Sequence, residues 1–226
     1  YNNKNLKNKD RMIDFNNIYS INRIGSNETL EGGQSITLGS EFKIDDKVRN
    51  INDLLKLNLA TSFRDSENGR LPKNSTLDKK MSNLIGQIKF KPNNTLNFDY
   101  NFLADNNLDQ INYHKINTTI SVNNFINKFE FLEENNDIGK ESFVSNETKF
   151  KFGDNSDLSF KTRQNKTTNL TEYYNLIYQY KMDCLVAGVE YRKDYYTDKG
   201  LKPDEKLFFS VTIVPFQNSI KSPPID

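Results

Sequence analysis

One cysteine, one histidine and no tryptophan in 226 residues leave little room for side-chain chemistry. A single cysteine, Cys184, forms no internal disulfide, and in an exported chain an odd cysteine points to a partner outside the segment. A single histidine, His114, excludes His-based triads and multi-His metal sites within the chain; no Cys cluster, glycine-rich phosphate loop or H-E-x-x-H spacing is present either. The sequence therefore implies no catalytic residues, no metal site, no cofactor and no enzyme. Charge of one sign is also missing. Thirty-one Lys and Arg against thirty Asp and Glu give a net charge of +1, without the basic block that nucleic-acid binding requires. No run of about 18 apolar residues exists, which excludes a transmembrane helix. The N-terminus shows no charged stretch followed by an apolar one, so the chain reads either as cytosolic or as part of a protein whose export signal lies upstream.

What is abundant is alternation. Apolar residues recur at every second position in segment after segment, and no segment carries a helical period. In "TLNFDYNFL", Leu96, Phe98, Tyr100 and Phe102 oppose Asn97, Asp99 and Asn101. In "LLKLNLATSFR", Leu55, Leu57, Leu59 and Phe63 oppose Lys56, Asn58, Ser62 and Arg64. The code continues to Leu207, Phe209, Val211 and Ile213 and predicts roughly eleven strands of about 9–12 residues, longer than the 5–6 usual in soluble sheets. The polar faces are charged and the apolar faces carry almost no charge. A Lys or Arg facing lipid at mid-depth costs about 2–4 kcal/mol, so a membrane barrel wall needs this asymmetry. A soluble β-sandwich also hides one face of each sheet, and it remains the competing reading.

The connections alternate in length. Short turns at residues 91–94, 123–124, 153–156 and 181–183, with a somewhat longer one at 45–52, alternate with longer polar loops at 65–82, 104–110, 133–141, 164–170 and 194–205. Bacterial outer-membrane barrels have short periplasmic turns and long extracellular loops, which would place Cys184 on the periplasmic side. Eleven strands form neither a closed nor an even-numbered barrel, and an open edge in lipid is costly. The reading that follows is an all-β, antiparallel up-and-down transmembrane β-barrel, present here as about 11–12 strands of a larger barrel. Residues 1–34 would form an extracellular-side segment leading into it, 35–216 the barrel strands, and 217–226 a periplasmic tail.

The stretch "DCLVAGVEYRKDYYTDKGLKPDEKLFFSVTI" resembles the C-terminal segment of the LptD (OstA) family of lipopolysaccharide-assembly outer-membrane proteins. That family shows Asp/Glu-Cys, an alternating strand ending in an Arg-Asp-Tyr-like patch, a short charged loop, a Pro and a final alternating strand. "NRIGSNETLEGG" is similar to a second family pattern: Asn22, Arg23, Glu31, Gly32 and Gly33 match, whereas Asn27, Glu28 and Thr29 stand where the family has Tyr-Asp-Arg. "LATSFRDSENGRLP" and "SNLIGQIKFKPNNTLNFDYNFLAD" also resemble family signatures, so that the likeness covers nearly all of residues 15–215.

The resemblance implies a cell outer-membrane protein that inserts lipopolysaccharide into the outer leaflet through a barrel lumen and a lateral gate. Implied partners are lipopolysaccharide, an LptE-like plug lipoprotein, a periplasmic lipopolysaccharide bridge protein and the barrel-assembly machinery. Cys184 matches one position of the family's C-terminal cysteine pair, Asp183 or Leu185 taking the other place, and would bridge to a cysteine outside this chain. The alternative is a buried free thiol acting as a small apolar residue. The lumen would be lined by Lys56, Arg64, Asp99, Lys128, Glu130, Glu190 and Arg192. The gate strand would carry Leu207, Phe209, Val211, Ile213 and Pro215. Pro215 lacks a ladder donor and either weakens pairing or simply ends the strand. Porins and other outer-membrane channels share the alternation but not the motifs, and a soluble β-sandwich binding module shares the strands; both stand as alternatives.

Overall fold

The computed structural model describes residues 13–23, 31–71, 73, 76–135, 140–196 and 200–213. Eleven strands follow one another: β1 (Ser35–Asp46), β2 (Ile51–Arg64), β3 (Leu84–Phe90), β4 (Leu96–Ala104), β5 (Ile111–Val122), β6 (Phe125–Asn135), β7 (Lys140–Phe152), β8 (Ser156–Asn165), β9 (Leu170–Lys181), β10 (Leu185–Asp194) and β11 (Asp204–Ile213). They form one antiparallel sheet in sequence order, an up-and-down meander without crossovers. β1 and β11 are its two edges, so the sheet is open, the wall of a partial barrel. No helix occurs among the described residues.

The strands range from 7 residues in β3 to 14 in β2. Two of the connections read as long, after β6 and after β8, shrink to residues 136–139 and 166–169, because polar residues beyond the apolar alternation continue the ladder: Glu134 pairs with Glu141, and Gln164 with Thr171. Polar side chains do not stop a strand when both faces of its end reach water. Several tight turns use asparagine where the backbone turns left-handed, at Asn50, Asn123 and Asn169, with Gly153 serving likewise. Asparagine tolerates that conformation better than any residue but glycine, which gives part of the Asn excess a structural use.

The register separates two faces. Ile36 lies opposite Phe63, Phe90 opposite Phe98, Ile116 opposite Phe131, Leu176 opposite Tyr191 and Val189 opposite Phe209. This face is bare: Leu38 is 55% exposed, Phe152 50% and Phe209 74%. No second layer covers it among the described residues, which removes the β-sandwich reading. Each such side chain gains about 1.5–3 kcal/mol on leaving water, so a surface of this kind belongs in hydrocarbon.

The buried core lies on the opposite, inner face, towards the end of the sheet that carries the long 65–83 connection. Ala60, Ile85 and Leu103 from the strands pack with Leu71 and Leu77 from that connection and with Ile13 and Ile18 from the segment before β1. Small inward residues make room. Thr37, Gly39, Ala60 and Ser62 form facing pairs across β1 and β2, and the Tyr19 hydroxyl stands where a Cβ on Gly39 would be. Residues 13–23 thus form a strap over the inner face of β1–β5.

Candidate functional site

Every lumen-assigned side chain sits on this inner face, and most of them belong to a ladder of ion pairs. Lys56 Nζ meets Glu41 at 2.8 Å, Lys115 meets Glu130 at 3.0 Å, and Lys89 meets Asp99 at 3.8 Å. Glu147 stands between Lys128 at 3.7 Å and Lys161 at 3.5 Å, both directly opposite it in the register. Glu190 accepts a hydrogen bond from Asn175 at 2.9 Å, and Arg192 Nε donates to Asp194 at 2.8 Å. Half-exposed pairs of this kind add at most about 1 kcal/mol each. Their main effect is to cancel charge locally, so the face is polar and hydrated without strong bias of either sign. At the end of β7–β10 that carries the β8–β9 and β10–β11 connections two guanidinium groups lie over rings, Arg163 at 3.8 Å from the centre of Phe143 and Arg192 at 5.0 Å from that of Tyr173.

Arg64 differs from the other six. It is 7% exposed, buried against residues 31–33. Its Nη1 donates to Glu31 Oε1 and its Nη2 to the Gly32 carbonyl. Glu31 also receives Arg23, through Nε at 2.8 Å and Nη2 at 2.5 Å, while Arg23 Nη1 donates to Ser62 and its Nη2 to Ser35 at 2.7 Å. A Cβ on Gly33, whose φ is +93°, would stand 2.7 Å from Arg64 Nη2, so glycine there admits the guanidinium. Arg23, Glu31, Gly32 and Gly33 carry the sequence resemblance around residue 30, and their shared task is this buried cluster. Asn27, Glu28 and Thr29, the departing centre of that pattern, lie outside the described residues.

Beneath the start of the strap is a half-open cavity of about 600 Å³, walled by Ile13–Asn16 on one side and inward side chains of β3–β5 on the other. The strand wall carries the side-chain amides of Gln87, Asn97, Asn101 and Asn117 among charged and apolar neighbours. Gln87 Nε2 donates to Asn101 Oδ1 at 2.8 Å, and Asn101 Nδ2 donates to Asp99. Sequence reasoning missed this row. Its signal was the recurrence of Gln or Asn at polar positions that the register sets side by side, Gln87 opposite Asn101.

Cys184 is a free, exposed thiol in the β9–β10 connection, so it does not fill an apolar hole. β11 is an edge strand whose Leu207, Phe209, Val211 and Ile213 lie on the apolar face; Pro215 and the tail 217–226 lie outside the described residues. His114 also lies on the apolar face, where its Nδ1 is 2.8 Å from the Tyr100 hydroxyl.

Compared with known proteins, the chain matches the family model described as "LptD: LPS transport system D" over residues 1–143. No curated protein matches it.

Proposed function

Since this chain belongs to the LptD family, a lipopolysaccharide-transport family of the Gram-negative outer membrane, we propose that it forms the C-terminal wall of the translocon that inserts lipopolysaccharide into the outer leaflet. The observation that carries this reading is the two-faced sheet, with its bare Phe, Leu and Tyr on one side and its neutralised ladder of charges on the other. A sheet of this kind separates hydrocarbon from water, so acyl chains and sugars can travel on opposite sides of one wall. No covalent chemistry is needed.

In this reading Lys56, Asp99, Lys128, Glu130, Glu190 and Arg192 line the lumen, and Arg64 braces the strap at its mouth. Residues 1–34 lie on the extracellular side, 35–216 make the wall and 217–226 form a periplasmic tail. β11, unpaired on its outer edge, meets the first strand of the complete barrel, and this seam is the lateral gate for lipid A. The exposed Cys184 bridges to a cysteine in the periplasmic part of the protein; in the chain-entropy account a bridge over so long a loop stabilises by about 4–5 kcal/mol. An LptE-like lipoprotein plugs the lumen, a periplasmic bridge protein delivers the substrate, and the barrel-assembly machinery inserts the wall.

The test is a photo-crosslinking amino acid at Arg192 or Lys128 of the full-length protein in cells. Lipopolysaccharide adducts at both positions are expected. A porin gives none, and their absence overturns the reading. A disulfide engineered between Thr212 of β11 and the first strand of the complete barrel should stop insertion while leaving these adducts in place.

A further inference from the structure

We propose that the cavity beneath residues 13–16 is a binding subsite for a neutral, hydroxyl-rich saccharide segment. This rests on the translocon reading and says which part of the substrate this stretch of wall holds. The cavity measures about 600 Å³, within the range of small-molecule sites, and is open on one side, so a short run of sugar rings can enter without threading an end.

Its chemistry selects the ligand. A hydroxyl donates and accepts at once, and so does a side-chain amide, which has two N–H donors and a carbonyl oxygen. The row uses one donor of Gln87, to Asn101, and one lone pair of its carbonyl oxygen, which accepts from Asn58 at 3.2 Å; Asn101 accepts that one bond and gives one donor to Asp99. Both amides keep hydrogen-bonding capacity, and Asn97 and Asn117 add two more amides to the same wall. Phe15 and Tyr113, packed against the buried core, supply apolar ring surface for the C–H faces of a sugar.

A phosphate suits the site poorly. Its two lysines are already engaged, Lys89 with Asp99 at 3.8 Å and Lys115 with Glu130 at 3.0 Å. Asp14 and Asp99 also line the cavity, so its ionised side chains balance and a phosphoryl group would face two carboxylates.

The experiment uses the full-length protein in detergent and two probes, the saccharide part of deacylated lipopolysaccharide and the same saccharide after chemical removal of its phosphates. Calorimetry should show that the dephosphorylated probe binds and that phosphates add no affinity. Gln87→Ala with Asn101→Ala should weaken its binding about tenfold, the effect of losing one or two hydrogen bonds to a neutral partner. Asn117→Leu, on the neighbouring strand, should weaken it too and serves if the double variant does not fold. Failure of the dephosphorylated probe to bind, tighter binding of the phosphorylated one, or binding indifferent to both sets of substitutions overturns the subsite. Lipopolysaccharide adducts at Arg192 under those same outcomes leave the translocon reading intact; loss of the adducts in the unsubstituted protein sinks that reading itself.

Discussion

Glu31 and Arg64 meet 33 residues apart in sequence, both side chains almost sealed from solvent, at 3% and 2% exposure. Glu31 is shared with Arg23, so one carboxylate answers two buried guanidinium groups. Glu31→Gln should therefore release the strap, since breaking a buried pair costs about 3–5 kcal/mol. Proteolysis of the full-length protein in detergent checks this: cleavage within residues 13–23 should rise steeply. Protection equal to that of the unsubstituted protein contradicts it.

On the lipid side, Gly86 is covered by the ring of Phe102, and a Cβ on Gly86 would come within 1.9 Å of that ring. Phe102 stacks in turn on Tyr100, with ring centres 5.4 Å apart. Gly86→Val should cost about 1–3 kcal/mol by overpacking. Combined with Phe102→Leu, it should cost less than the sum of the two single changes. A double-mutant cycle from urea unfolding in lipid vesicles measures the coupling, and strict additivity would show that the ring does not depend on the glycine.

Phe129 and Lys128 are neighbours on β6 that face opposite ways. Phe129→Arg should destabilise the vesicle-inserted protein by about 2–4 kcal/mol, whereas Lys128→Met, on the watery face, should change little. Equal effects in the same urea titration would refute the two-faced assignment.

Asp78, in the 65–83 connection, is buried, and its Oδ1 has no hydrogen-bond partner among the described residues. Burial holds its carboxyl above the ordinary value of 3.8. The ionised form is thus penalised in the folded loop, so the destabilisation is complete above the raised folded value. It is relieved as pH falls through that value towards 3.8. Hydrogen exchange in residues 65–83, corrected for the intrinsic pH effect, should slow on acidification. Asp78→Asn should slow it already at neutral pH and remove the pH dependence; an unchanged profile argues against this origin.

Strands and faces were legible because burial of one face repeats every second residue, and a single slip would move Phe98 or Leu176 to the other side. The strand ends were less so. β6 to β9 continue into residues such as Glu134 and Gln164, polar on both sides, where alternation disappears though backbone pairing goes on. Arg64 looked like one more lumen charge, since its position in the alternation matches that of Lys56. Its burial depends on residues 31–33, a contact between distant segments for which local periodicity holds no signal. The amide row was missed for a related reason: Gln87 and Asn101 become neighbours only once the register is known. The motif around Arg23 and Glu31 was visible, but its purpose was not.

Among the described residues each strand pairs only with the strands just before and after it in the chain. Such a wall can be laid down one hairpin at a time, with nothing to thread and no earlier seam to reopen. At every stage each added strand moves one row of unsatisfied amides outward while the free edge of β1 stays where it was, so only one of the two rims grows during the build.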